Sequence, residues 1–382
     1  MGVVFYFQSR LQRGGQAVKI SFTSLLESEL SASSPGGWTR TGRGALARQW
    51  GASPWVVRVS SLCLLLFYFF AAASPFIAPY DPVRQYRGQP DCPPMGLHVT
   101  QAAERAHGWF FAYPMKMVNP LARKFVEDRS RKTYIRFFYR SHLFTTESAD
   151  LPWFMFGSEG LGRDLFSRIV YGARVSMCIG VVGVLISFSL GITVGAFSGY
   201  VGGAIDNLIM RWCEIEMSLP QFYFLLALAA VIPSGLSTVV TFFMIVAIMA
   251  FIGWAGFARV IRGMAASVRA VPYVEAGRAL GGSRGRQLRR HVIPSVMGFA
   301  AINASLSIPG YILSESALSL LGLGIQEPAA SWGNLLSQAM DPQNILHYPW
   351  VLIPGIFISI TVMSFNFIGD YLRDSLDPSN VR

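Results

Sequence analysis

Apolar residues in this chain fall into long uninterrupted runs, separated by polar sequence rich in glycine, proline and arginine. They do not alternate in the two-residue rhythm of a half-buried sheet. Runs of about 20 apolar residues match the thickness of a bilayer's hydrocarbon core. Six can be drawn, at 55–73, 175–198, 207–232, 238–257, 297–321 and 350–369. The pattern predicts an all-α polytopic membrane protein of six transmembrane helices, with a long extracytoplasmic insertion after the first.

The polar stretches set the organisation. Residues 1–54 carry scattered arginines with Ser-Pro-Gly-Gly and Gly-Gly breaks, and read as a cytosolic N-terminal tail. The first span and its exit occupy 55–78. Residues 79–172 mix prolines, aromatics and both signs of charge, and form the extracytoplasmic insertion with an amphipathic lead-in. A five-helix core fills 173–370, and 371–382 is a cytosolic C-terminal tail. Loop 259–296 holds Arg259, Arg262, Arg269, Arg278, Arg284, Arg286, Arg289 and Arg290. By the positive-inside rule it faces the cytosol, and six crossings then put both termini there. The insertion is longer than about 60 residues, so its own lysines and arginines do not bear on orientation.

Composition agrees. The 382 residues are 52% hydrophobic and 14% charged, with a mean hydropathy of +0.41. Soluble domains carry about 25% charge. The net charge of +11 lies mostly in loops beside the spans, where it sets topology and meets anionic lipid. No nucleic-acid partner is expected. The four cysteines, Cys63, Cys92, Cys178 and Cys213, show no paired spacing, so neither a disulfide framework nor a metal site is indicated.

Several residues inside the spans stand out. Gly183, Ser187, Gly191, Gly195 and Gly199 repeat every four positions, which lines one helix face with small residues and lets another backbone approach. That face either packs tightly within the bundle, or meets a partner subunit or lines a path. Pro220 and Pro309 each remove a backbone hydrogen bond and predict kinks. Glu315 is the notable intramembrane carboxylate. Either it faces protein or a water-filled path, with Ser319 one turn on as a companion, or it reaches the outer interface.

Residues 272–294 are too polar to cross, yet spans flank them. Pro272 suits the first helical position, Glu275 falls in the first turn where the helix dipole favours a carboxylate, and Gly281-Gly282 ends the helix. About nine residues give a rod near 14 Å long, thin at Ala276, Gly277 and Ala279 and flanked by arginines. Gly281-Gly282-Ser283-Arg284-Gly285 matches G-x-S-x-G, but it follows a helix rather than a strand, and Ser283 is better read as a helix N-cap. There is no G-x-x-x-x-G-K-[ST] and no H-E-x-x-H. No soluble catalytic domain remains.

The pattern Glu275-Ala276-Gly277, Gly281 and Pro294 resembles the EAA loop of binding-protein-dependent ABC import permeases. The resemblance extends to the C-type subunit of the dipeptide, oligopeptide and nickel branch. It rests on Gly157-Ser158-Glu159-Gly160-Leu161-Gly162-Arg163-Asp164, Tyr171-Gly172-Ala173-Arg174-Val175-Ser176, and Gly199-Tyr200-Val201-Gly202-Gly203 with Asp206. Further matches are Glu315-Ser316-Ala317-Leu318-Ser319 into Gly322-Leu323-Gly324, Ser331-Trp332-Gly333, and Gly369-Asp370 through Asp377-Pro378.

This resemblance implies the type I importer permease fold, in the cytoplasmic membrane of a bacterium. It also implies a second homologous permease subunit, two cytosolic ATPase subunits and an extracytoplasmic substrate-binding protein. Glu275, Ala276, Gly277, Gly281 and Pro294 would belong to the ATPase-coupling element, and ATP would be used by the partner chains with no cofactor on this one. Di- or oligopeptides are the implied cargo, with nickel, opines or peptide-like antibiotics as the alternative. An ATP-independent channel and a membrane enzyme are the competing classes. Two features depart from the family: Gly277 stands where alanine is usual, and the insertion is longer than the usual outer loop.

Overall fold

Among the described residues of the computed structural model, five helices are long and apolar enough to cross a bilayer: Trp55–Ala72, Leu165–Val201, Thr238–Arg269, the run Arg284–Leu320 and Pro349–Ser375. The structure describes residues 53–100, 109–120, 123–139, 141–148, 150–233 and 235–376. The expected N-terminal tail up to residue 52, and residues 377–382 of the C-terminal tail, lie outside the described residues.

Helix α1 (Trp55–Ala72) buries Val57, Ser60, Leu64, Phe67 and Ala71, one row at helical spacing. A short α2 (Ser74–Ile77) follows almost without interruption, since Ala73 N–H still bonds Phe69 O and Ile77 N–H bonds Ala73 O. The insertion then folds as sheet, which the segment's mixed composition did not announce. Strands β1 (His98–Val99), β2 (Phe110–Ala112), β5 (Thr133–Tyr139) and β6 (His142–Thr146) form an antiparallel sheet in the order β1-β2-β5-β6. Strands β3 (Met115–Asn119) and β4 (Lys124–Glu127) pair as a separate hairpin. Their core of Tyr80, Tyr86, Met95, Ile135, Phe144, Trp153 and Phe154 also takes in Phe166 and Val170. Those two residues belong to helix α3 (Leu165–Val201), so the insertion is welded to the start of a spanning helix. This helix begins ten residues earlier than the apolar run at 175, because its first turns are buried in the insertion.

The expected span at 207–232 is not one helix. It is α4 (Gly203–Ser218) and α5 (Gln221–Ala229), broken at Leu219 and Pro220, where Pro220 caps α5. The proline's missing N–H makes a full break here rather than a kink. The pair still runs from one end of the bundle to the other. Asp206 of α4 meets Arg262, whereas Leu225 and Ala229 of α5 cluster with Ile245 and Val246, near the opposite end of α6 (Thr238–Arg269).

Helix α6 continues 12 residues beyond the apolar run that ends at 257, so the expected loop 259–296 is largely helical. Its connecting part holds only α7 (Pro272–Ala279) and α8 (Arg284–Gln287), and a π-helical turn at Leu288–Val292 leads into α9 (Ile293–Leu320). Helix α9 runs through Pro309 without ending. Short α10 (Trp332–Leu336) and α11 (Pro342–His347) then lead to α12 (Ile353–Leu376), which extends into the expected tail at 371. Leu64 and Phe67 of α1, Ile169 and Met177 of α3, Ile312 of α9 and Trp332 share one buried cluster with Ile358 and Phe365 of α12.

Candidate functional site

Helix α7 stands at the bundle end opposite the insertion. Val271 precedes it as N-cap residue, Pro272 opens it, and Glu275 lies in its first turn, as the sequence predicts. Gly281 takes φ 79°, and Gly282 N–H bonds the Gly277 carbonyl at 3.1 Å, closing the helix with a glycine cap. Ser283 is the N-cap residue of α8, without a side-chain cap bond.

One residue roots α7 in the bundle. Val274 is 2% exposed and packs with Ala196 and Tyr200 of α3, Ile261 and Ala265 of α6, and Val292 and Val296 at the start of α9. Burying its side chain contributes about 1.5–3 kcal/mol, so α7 moves with three helices rather than hanging from loops. The other side is open. Tyr273 is half exposed, Leu280 is 89% exposed, and Glu275 and Ala276 are also exposed. Pro294 closely follows the π-helical turn Leu288–Val292, inside the continuous helical run Arg284–Leu320.

Gly277 has a specific neighbour. A Cβ there would stand 2.7 Å from Gln287 Nε2, and the same amide presses on Gly282 at the same distance. Gln287 is 2% exposed. No local sequence pattern marks it.

The small-residue face of α3 is used inside the chain. A Cβ on Gly183 would lie 2.5 Å from the Tyr311 ring, and one on Gly191 2.7 Å from Phe257. On Gly195 and Gly199 it would collide with the carbonyl oxygens of Ala258 and Arg262. Ser187 is fully buried on the same face, near Gly253. Helices α3 and α6 therefore meet backbone to backbone, which leaves no room on this face for a second subunit. Asp206 clamps the α7 end of that seam, accepting from Ser198 Oγ at 2.6 Å and from Arg262 Nε at 3.0 Å.

Glu315 is 0% exposed. Ser319 Oγ donates to its carboxylate at 2.7 Å and Ser176 Oγ at 3.3 Å. The same two hydroxyls accept from Ile325 N at 3.0 Å and Trp332 N at 3.1 Å. Trp332 Nε1 bonds Ile169 O at 2.9 Å, and Gly333 fits so closely that a Cβ would lie 2.6 Å from Ser316 Cα. Glu315 and Ser319 thus form a closed knot tying α3, α9 and the 325–333 segment together, and reach no open surface. An open hollow lies elsewhere. A cavity of about 420 Å³ between α5, α6 and α9 is lined by Gln221, Leu225, Gly253, Ser307, Tyr311 and Ser314. The helix break at Pro220 delivers Gln221 to its wall.

At the insertion end, Arg163 and Arg168 share Glu159 and Glu327. Arg163 bonds both carboxylates, while Arg168 reaches Glu327 Oε1 at 2.9 Å and lies 3.4 Å from Glu159 Oε2. Arg168, Glu159 and Arg163 are nearly inaccessible; Glu327 is half exposed. Burial pushes the Glu159 carboxyl up, and the two guanidiniums offset this only in part. At Glu327 they outweigh burial and hold it below the usual range. Two positive and two negative groups balance, so this is a clasp between the lead-in to α3 and the loop after α9. Glu159 and Arg163 lie within the 157–164 sequence motif, whereas Arg168 and Glu327 lie outside it.

Residues 191–382 match the family described as binding-protein-dependent transport system inner membrane component. The chain is 43% identical over 226 residues to an oligopeptide transport system permease protein of Haemophilus influenzae, covering 59% of this chain and 70% of the relative. It is 38% identical over 223 residues to a dipeptide transport system permease protein of Bacillus subtilis, 58% of this chain and 68% of the relative. With an oligopeptide transport system permease protein of Escherichia coli it shares 39% over 231 residues, 59% and 72% of the two chains. The chain belongs to the family of binding-protein-dependent transport system inner membrane components.

Proposed function

We propose that this chain is the C-type permease subunit of an ATP-driven importer of di- and oligopeptides. The cargo follows from the relatives, which are themselves described as oligopeptide and dipeptide transport system permease proteins. Its partners are a second homologous permease subunit, two cytosolic ATPase subunits and an extracytoplasmic substrate-binding protein. With the arginine-rich α7 end in the cytosol, both termini are cytosolic and the insertion is extracytoplasmic.

The observation that carries this reading is α7 itself, exposed along Tyr273, Glu275, Ala276 and Leu280 yet rooted by Val274 among α3, α6 and α9. A slim helix fixed at its base and open at its crest transmits a push. Nucleotide-driven closure of the ATPases displaces the crest, and the base shifts the three helices that flank the cavity and seam. Glu275, Gly277, Gly281 and Pro294 shape this element: the first complements the helix dipole, the glycines let Gln287 and the cap close, and the proline starts the return helix. Gln221, Ser307, Tyr311 and Ser314 form this subunit's half of the path.

Deleting 272–282 tests the reading. The variant should insert and assemble with its companion permease while uptake of a labelled peptide is abolished. Normal uptake by the inserted variant refutes the coupling role.

A further inference from the structure

Phe138 stands near the tip of the β5–β6 hairpin, 75% exposed, with a φ of 52° that bulky side chains rarely adopt. An aromatic ring held outward in such a backbone gains nothing from the insertion's own core. Its ring neighbour is Phe76, at 6.1 Å between centroids. Phe76 is itself 39% exposed on α2.

The position of Phe76 is informative. Along α1 the exposed large residues Trp55, Val59, Leu62, Leu66 and Phe69 form a row spaced by four and three residues in turn, with exposed Leu65 beside it. Helical bonding continues through Ala73, so the same row runs on to Phe76. Opposite it lies the buried row of Val57, Ser60, Leu64, Phe67 and Ala71. The exposed row is bulky throughout and has no small-residue spacing, unlike the α3 seam. Helix contacts in membranes favour small residues, and lipid accepts large ones. This is the bilayer-facing side of α1.

A second residue sets the height. Arg174 of α3 is exposed and donates to the last carbonyls of α1, Ala71 O at 2.7 Å and Ala72 O at 3.2 Å. A guanidinium avoids the hydrocarbon, so the bilayer's polar boundary passes near Ala72. Phe76 lies about 6 Å further along at 1.5 Å per residue, the depth at which interfacial aromatic rings collect.

We propose that Phe76 and Phe138 form an aromatic foot that seats the insertion in the phospholipid headgroup layer. The occupant is the lipid interface because the patch continues an apolar row that already faces lipid, at the height that Arg174 marks. The insertion then has two attachments: its core is welded to α3 through Phe166 and Val170, and its hairpin tip rests on the membrane beside α1. This goes beyond the transport reading and rests on it only in requiring α1 to cross the bilayer.

Photo-crosslinking of the full-length chain, co-expressed with its partner subunits in native membranes, tests the proposal. Benzoylphenylalanine, a near-isostere, replaces Phe138, with Phe76 as the second site should the first variant fail to fold. Leu65, exposed on α1, is the lipid-facing control, and Val118, exposed on the β3–β4 hairpin, is the aqueous control. Illumination should shift the mass of the peptides bearing positions 138 and 65 by one phospholipid, with no such shift at 118. A protein adduct at 138, or none, while 65 still captures lipid, overturns the foot and leaves the transport reading intact. Loss of lipid adducts at 65 as well overturns both the foot and the crossing of α1.

Discussion

Gln287 lies across Gly277 so closely that a Cβ at position 277 would stand 2.7 Å from its side-chain amide. The glycine that departs from the family's Glu-Ala-Ala pattern is therefore the counterpart of a buried glutamine. The pair locks the end of α7 against the start of the helical run into α9.

Gly277→Ala should gain about 1 kcal/mol in helix propensity, offset by the cost of displacing the buried Gln287 amide, so its net effect should stay below about 1 kcal/mol. Gln287→Ala in the same chain should relieve that cost. Thermal unfolding of both single variants and the double should show a coupling of about 0.5–3 kcal/mol. Strictly additive effects would mean that Gln287 is not what excludes the side chain.

The α3–α6 seam makes a paired prediction. Gly195→Ala drives a Cβ into Ala258 O and should destabilise the detergent-solubilised protein by about 1–3 kcal/mol. Gly263→Ala meets nothing within 4 Å and should be neutral or stabilise by up to about 1 kcal/mol. Equal melting shifts would dismiss the backbone contact.

Asp164 caps α3 by accepting from Ser167 N at 2.8 Å and Oγ at 2.6 Å. Burial nevertheless pushes its carboxyl up to about 7, with the Ser167 bonds offsetting only part. A raised pKa means that the folded state holds the proton more tightly than the unfolded chain. Its contribution to stability is complete below about pH 4, the unfolded value, and is lost as pH rises through about 7. The slope reaches at most about 1.4 kcal/mol per pH unit. Asp164→Asn keeps an acceptor and should flatten that segment of the stability profile. An unchanged slope in the variant would assign it to another group.

Arg168 is buried against Glu159 and Glu327. Arg168→Met leaves the two carboxylates to share Arg163 alone, one guanidinium short of balance, and should cost about 3–5 kcal/mol. Adding Glu159→Gln should recover part of this, measured by unfolding at neutral pH. No recovery would show that the clasp is not coupled through Glu159.

Leu280 is 89% exposed at the crest of α7. Leu280→Asp should leave insertion unchanged and weaken ATPase docking by about 2 kcal/mol, roughly a thirtyfold loss of affinity. Pull-down of the ATPase subunits reads this directly, and wild-type recovery would remove Leu280 from the interface.

The α7 motif was legible because each of its signals is local. Proline at the first turn, an early glutamate and a terminal glycine act within a few residues of themselves, and the helix came out within a residue of its expected bounds. The break at Pro220 was half legible: the proline marked the place, but whether a helix bends or stops depends on what packs beside it. The insertion's sheets were not legible, since strands of two to seven residues owe their pairing to partners distant in the chain.

Hydropathy and turn chemistry by themselves determined the five long apolar helices among the described residues, and that a polar helix stands between two of them. Both are properties of short windows meeting lipid or water. Tertiary structure alone decided that the α3 glycines serve α6 rather than another subunit, that Glu315 closes a knot instead of lining a path, and that Arg168 clasps Glu327 across 159 residues. In a bilayer every helix face is apolar, so periodicity no longer separates inside from outside. Which small residue, hydroxyl or charge finds which partner is settled only when the helices are packed.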